Sequence, residues 1–423
     1  MKRFLFTLAL VGALALFALP AFADQEGDNQ GVNVATGSLR LGGLLQTGFT
    51  FYVGNEVAGE GELGAQAMDR PVDYLFWMSR VRLLAAGEVL DDRVSYLMQF
   101  EFGRDTQRGS ATIDDVLLDA KIGFHYIPYT AIYVGRFTPN FTFFAPRNSG
   151  KLMFIDYPLM NQNGSIFDSR RQTGLEFAVE TTYLDANLGV FNGHLYSPPM
   201  AAPGATVPVG NLGWGDQNNG KDIYINLIGK PPVEGLKIFA GLFYGTPLDG
   251  FEVDSSNALI EHNATVELID AGAFYMAPFG LTVGGELLYA MYNYDQALPD
   301  GSGDDRAADT FAYQFTSMSY YIMGGFNFGP LFEVPVELLV RYDFLDPNTE
   351  NDNNNVPGSE DDALNDITVG VNYYIKAHHA MLYLNYIHHG ESYDILVVDP
   401  ADADDTQTGI SNDEIKLQAQ VAF

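Results

Sequence analysis

From residue 38 to the end of the chain, apolar and polar positions alternate with a period of two, run after run. The last run shows it most cleanly. Ile415, Leu417, Ala419, Val421 and Phe423 fall on one face, and Lys416, Gln418, Gln420 and Ala422 on the other. Successive strand side chains point to opposite faces, so such a run is a strand with one apolar and one polar side. Sixteen runs of this kind are predicted, at approximately 38–52, 74–90, 92–103, 113–126, 129–137, 171–181, 184–194, 221–230, 236–246, 262–277, 279–293, 311–328, 334–346, 364–376, 379–390 and 413–423. Many are 10 to 17 residues long. Strands of globular proteins average about five or six residues, whereas a tilted strand crossing a membrane needs about 9–11.

The connections alternate as strictly as the side chains. Tight ones fall at Asp91, Ile127-Pro128, Thr182-Tyr183, 231–235, Pro278, 329–333 and Ala377-His378. Long ones fall at 53–73, 104–112, 138–170, 195–220, 247–261, 294–310, 347–363 and 391–412. Turns at one end, loops at the other and an even strand count describe an outer-membrane barrel. Such a sheet must close, because lipid cannot satisfy an open edge. The expected fold class is all-β: a transmembrane antiparallel β-barrel of about 16 strands, with short periplasmic turns and long extracellular loops.

Composition adds the compartment. Lys2 and Arg3 precede an apolar run, Phe4 to Leu19, and Ala21-Phe22-Ala23 makes a small-residue cleavage pattern before Asp24. This is the layout of a secretory signal peptide. The expected division is a signal peptide over 1–23, a periplasmic N-terminal segment over 24–37 and the barrel over 38–423, in the bacterial outer membrane. Beyond the signal no run of 18 apolar residues occurs, as a membrane helix would need. With no cysteine, an exported chain must hold itself by burial and backbone pairing. The formal charge is −32, and loss of Lys2 and Arg3 takes it to −34, which argues against a nucleic-acid partner.

In each strand the apolar parity is expected to face lipid and the other parity the lumen. Leu75, Trp77, Val81 and Leu83 then face out in the second strand, with Arg80, Arg82 and Glu88 inside. The third strand puts Arg93, Ser95, Gln99 and Glu101 inside. In the fourth, Val116, Leu118, Ile122 and Phe124 face out and Asp115, Asp119 and Lys121 face in. Arg40, Arg136 and Glu176 are placed inside from the first, fifth and sixth. A basic residue on the lipid face near the midplane would cost about 2–4 kcal/mol. A lumen this polar is water-filled rather than packed. The expected positive strip is Arg40, Arg80, Arg82, Arg93, Lys121 and Arg136, with Glu101 and Asp119 among the acids that could neutralise it. The connection 138–170 is apolar for an outside loop, with Phe141, Phe143, Phe144 and Phe154, and carries Arg147, Lys151 and Arg170. It is expected to fold inward and narrow the channel.

The late loops are acidic. Residues 346–366 carry seven acids and no base, and 391–414 carry eight and none. Solvated rims are the simple reading, and cation bridges to lipopolysaccharide the functional one. Asp402-Ala403-Asp404-Asp405 lacks the Gly and Glu of a calcium loop.

Val134-Gly135-Arg136-Phe137-Thr138-Pro139-Asn140-Phe141, followed by Phe154-Ile155-Asp156, resembles the Gly-basic-aromatic-x-Pro segment of the phosphate-selective porin O/P family. The sixteen-strand layout, the signal peptide and the terminal Phe423 are similar too. The resemblance implies a sixteen-stranded homotrimer with basic residues along an anion-conducting pore, Arg136 in the lumen and 138–170 as a constriction. Pro139-Asn140-Phe141 replaces a Pro-Phe-Gly-like turn, and the lumen bases are interleaved with acids, so the resemblance carries a porin more firmly than phosphate selectivity.

No hydrolase motif of the Gly-x-Ser-x-Gly or His-Glu-x-x-His kind is present, and neither a catalytic, a metal nor a cofactor site is expected. His378-His379 and His388-His389 lie at opposite ends of one strand, about 33 Å apart, too far to share a metal. The expected function is a passive channel for small hydrophilic solutes with a mild preference for anions such as phosphate. Its partners are the bilayer and lipopolysaccharide. The other reading is an adhesion or anchoring barrel that works through its acidic loops.

Overall fold

Sixteen strands close into one antiparallel barrel in the computed structural model, which describes residues 32–34, 37–53, 56–59, 66–69, 74–90, 92–103, 116–162, 165–167, 171–193, 220–253, 259–297, 310–347, 349, 363–391 and 412–423. The predicted signal peptide and most of the acidic loop residues lie outside them. The barrel strands are β1 (Gly37–Tyr52), β2 (Tyr74–Val89), β3 (Val94–Glu101), β4 (Leu117–Phe124), β5 (Thr130–Phe137), β6 (Gln172–Glu180), β7 (Leu184–Phe191) and β8 (Asp222–Gly229). They continue as β9 (Leu236–Val253), β10 (Leu259–Met276), β11 (Leu281–Ala297), β12 (Thr310–Asn327), β13 (Val336–Asp346), β14 (Leu364–Lys376), β15 (Ala380–Glu391) and β16 (Glu414–Ala422). Each of the sixteen predicted runs holds one strand. The main difference in length is in β9–β12, which reach 17 or 18 residues against 8 or 9 in β3–β8. At about 3.3 Å per residue, one wall is roughly 30 Å longer than the other.

Closure joins the two ends of the chain. β16 pairs with β1 from Glu414↔Tyr52 to Ala422↔Leu44. Beyond it, Gly43 N–H donates to Phe423 O at 2.8 Å and Phe423 N–H to Gly43 O at 3.1 Å. The Phe423 ring lies over Gly43, where a Cβ would come within 2.5 Å of ring carbon Cζ. The terminal aromatic thus seals the seam on a residue that leaves it room.

The tight turns set the hand of each hairpin. Six of the seven contain a residue with positive φ: Leu90 and Asp92, Tyr129, Gly235, Gly280, Glu333 and Ala377. Only two of these residues are glycine, so the short turns impose left-handed backbone on ordinary residues. The outer face is apolar, with Leu188, Leu242, Ile322 and Val340 open to the surroundings and Phe76 at 76% exposure. Facing lipid, these side chains form the band that holds the barrel in the bilayer.

Two irregular pairings shift the faces predicted from alternation. Gln46 pairs with Arg80 and Thr47 with Met78, so Ser79 is an extra residue in β2. Before this bulge the parity reverses: Tyr74, Phe76 and Met78 face lipid, and Leu75 and Trp77 face the lumen instead of out. Trp77 Nε1 donates to the buried Thr50 Oγ1 at 2.9 Å. A second bulge leaves Leu118 between Gln99↔Asp119 and Phe100↔Leu117, and Leu118 is buried rather than lipid-facing.

Candidate functional site

After β5 the chain turns into the barrel. Pro139 cannot continue the ladder, and apolar side chains follow that find their partners on the inner wall. Phe141, Phe144, Leu152, Phe154, Met160, Ile166 and Phe167 share one buried cluster with Phe191, Tyr224, Phe239, Phe243, Phe274, Tyr321 and Leu339. Phe143 stacks on Phe274 with centroids 3.8 Å apart. Phe154 lies over Gly370, where a Cβ would press on ring carbon Cε1 at 3.2 Å. The described residues of 138–167 therefore lie inside the lumen, and burial of each large ring contributes roughly 1.5–3 kcal/mol.

Polar anchors hold it strand by strand. Asn140 Nδ2 donates to Glu176 Oε1 at 2.7 Å, and Tyr224 OH also donates to Glu176, which is fully buried. Phe143 N–H donates to Glu286 at 2.8 Å, and Tyr321 OH to the same carboxylate at 2.5 Å. Asn372 Nδ2 reaches Met153 O at 2.8 Å, and Ile155 N–H reaches Asn385 Oδ1 at 2.9 Å. Arg341, ion-paired to Asp343 at 2.5 Å, donates to Asp156 O and Tyr157 O. Lys416 pairs with Asp156 at 2.9 Å, Gln420 Nε2 donates to Gly150 O at 2.9 Å, and Arg82 donates to Ser149 Oγ at 2.8 Å. Burial alone would raise the Asp156 carboxyl, but Lys416, then Arg80 and Arg341, hold it below its ordinary value. The anchors run along the wall from β6 round through β16 and β1 to β2 and leave β3 and β4 without a loop contact among them.

The cations of the inner wall and the loop are of two kinds. Some are neutralised: Arg82 pairs with Glu101 at 2.6 Å, and Arg171 with Asp119 at 3.4 Å. Others have no ion pair among the described residues and rest on aromatic faces. Lys121 Nζ is 4.6 Å from the Tyr133 centroid and 5.3 Å from that of Phe137. Arg147, on the loop, stacks on Phe143 at 3.8 Å and Phe144 at 5.5 Å. Arg80 is 5.9 Å from Tyr157 and donates to Gln46 Oε1 at 2.7 Å. Rings hold a cation without cancelling its charge. Burial lowers the Arg147 guanidinium from its ordinary value, with Tyr321 and Glu286 opposing, and it stays charged. Arg40 and Lys151 are exposed and also lack an ion pair among the described residues.

Several residues predicted for the pore sit elsewhere. Arg93 lies in the tight turn before β3, exposed, over the Tyr126 ring at 5.8 Å, so it is a rim residue. Arg136 shares a face with the lipid-facing Val134, opposite Tyr133 and Phe137, and pairs across to Ala120 and Thr173. Its expected lumen position is therefore corrected: β5 buries its odd residues inward, and Arg136 is even. Arg170 and Asp115 lie outside the described residues. Conversely, Arg341, Asp343 and Lys416 were not read as site residues. Charges at mid-strand inward positions, two of them an i, i+2 pair, were the signal that could have found them.

The sequence of the family described as phosphate-selective porin O and P matches over residues 62–218 and 258–423. The chain belongs to that family. This porin lies in the bacterial outer membrane and forms a channel across it. No curated protein matches the chain. Among solved structures it is similar to an anion-selective porin from Comamonas acidovorans, at 13% identity and a TM-score of 0.56, over 92% of this chain and 100% of that one. The outer-membrane channel DcaP of Acinetobacter baumannii gives 11% and 0.56, over 92% and 99%. The trimer form of OmpT, an outer-membrane protein of Vibrio cholerae, gives 10% and 0.54, over 92% and 100%. These likenesses are likenesses of fold.

Proposed function

We propose that this porin passes small hydrophilic solutes with a mild preference for anions, phosphate among them, and has no tight phosphate site. The observation that carries the reading is the set of cations that form no ion pair among the described residues: Arg40, Arg80, Lys121, Arg147 and Lys151. Glu101 and Asp119 are spent on Arg82 and Arg171, so they do not cancel this set. A ring of one sign in a narrow passage selects the opposite ion. The test is the reversal potential in a planar bilayer under a potassium chloride gradient. The wild-type channel should favour chloride, and Arg80→Gln, Lys121→Gln and Lys151→Gln together should lower or reverse that preference. A wild-type channel that favours potassium would sink the reading, and a silent barrel would favour the anchoring role instead. We further infer export by a signal peptide over 1–23, with Asp24 as the mature N-terminus, and a homotrimer. A mature sequence beginning elsewhere, or a monomeric mass in mild detergent, would refute these two.

A further inference from the structure

A recess of about 230 Å³ opens off the lumen between β1 and β5, lined in part by Arg40, Glu88, Ser95, Leu97, Lys121 and Tyr133. It lies near the tight turn that joins β2 to β3, and no residue of the inward loop is among its lining residues. Its chemistry is mixed in a specific way. Lys121 and Arg40 supply two positive charges, and Lys121 sits against the Tyr133 ring at 4.6 Å. Leu97 and Tyr133 supply an apolar wall. The ring is set in place by His125, which packs against it edge-on at 6.0 Å, while His125 Nε2 and Ser95 Oγ lie 2.8 Å apart. Glu88 is the one carboxylate among the lining residues.

We propose that this recess is a seat for planar organic monocarboxylates, aromatic carboxylates above all. The inference rests on the anion-conducting reading and names the solute class. A carboxylate would meet the Lys121 ammonium and the Arg40 guanidinium, and its ring would lie along Tyr133 and Leu97. A cation already leaning on a ring has shed part of its water, so it favours a weakly hydrated partner over a strongly hydrated one. Inorganic phosphate holds its water firmly and has no apolar surface to offer the wall. Its second charge would also face Glu88. The volume equals about eight waters at ~30 Å³ each, which suits one substituted ring.

Chloride current through the full-length channel, titrated with benzoate, acetate and phosphate, tests this. Benzoate and acetate carry the same charge, so the difference between them reads the ring. Benzoate should block at a concentration about threefold lower than acetate, the size expected for an aromatic contact. Phosphate should block less than benzoate. Tyr133→Phe should keep the gap between benzoate and acetate, and Tyr133→Leu should close it. Should Tyr133→Leu fail to fold, the wild-type comparison still decides. Equal block by benzoate and acetate in a chloride-preferring channel would overturn the seat alone, as would stronger block by phosphate. A potassium-preferring wild-type channel would overturn the anion reading and the seat with it.

Discussion

Arg341 is 3% exposed, and its charge is tolerated there because Asp343, at 1%, accepts a hydrogen bond from Nε at 2.5 Å. Two of the remaining guanidinium N–H groups go to the inward loop, one to Asp156 O at 3.1 Å and one to Tyr157 O at 3.3 Å, with the Phe154 ring 4.7 Å away. Asp343 in turn accepts from Leu159 N–H at 3.3 Å. One i, i+2 pair on β13 thus holds four residues of the loop, Phe154, Asp156, Tyr157 and Leu159, against the wall. Breaking a buried pair by removing one partner costs about 3–5 kcal/mol, because the other charge is left alone. Arg341→Gln should therefore loosen this part of the loop, and single-channel recordings should show larger and noisier openings than wild type. Arg341→Met with Asp343→Leu removes both charges and should regain much of the heat stability, yet the noise should persist because the carbonyl contacts are still missing. Quiet wild-type openings in both variants would mean that ring packing alone fixes the loop.

At the scale of elements, the bulge at Ser79 decides which side of the wall Trp77 occupies. Alternation read from the sequence puts Trp77 in lipid, and the paired structure puts it in the lumen beside Thr50. The two placements differ in what can reach the indole. With Trp214 replaced by Phe, Trp77 fluorescence should resist brominated acyl chains and respond to an aqueous quencher that enters the channel. Strong quenching from the bilayer would restore the outward placement and remove the bulge. All sixteen strands were legible because period two survives in every one of them, and the short turns were legible from their spacing. Face was less legible than existence. A bulge depends on the partner strand, as Gln46↔Arg80 beside Thr47↔Met78 shows, and one extra residue inverts every side chain beyond it. Arg136 was misplaced for a related reason, since mixed polarity in β5 leaves its parity to be fixed by Phe137 against Phe191. The inward course of 138–167 was legible from its apolar content. Its anchors were not, because they come from residues more than 100 positions away, such as Arg341 and Lys416.

For the whole molecule, the late loop sequences and the inner wall carry charge of opposite sign. The chain carries −32, with seven acids and no base over 346–366 and eight and none over 391–414. The lumen carries cations that rest on aromatic faces and form no ion pair among the described residues. These two fields oppose each other for an anion entering from outside, and salt separates them. The Debye length is about 10 Å at 0.1 M and about 3 Å at 1 M. Acids on a wide rim act across water and are screened early. Cations on the wall of a constriction act at a few ångströms, through space holding little electrolyte, and are screened late. Chloride preference should thus rise at first as salt is raised from about 0.01 M, where the Debye length is about 30 Å and the rim still repels anions. It should then fall toward 1 M as the wall cations are screened in turn. Deleting 347–362 should remove much of the early rise and leave the late fall, since that segment supplies rim acids and no wall cation. A preference that falls steadily from the lowest salt in the intact channel would show that the rim acids do not act on the permeating ion, and that the passage alone sets selectivity.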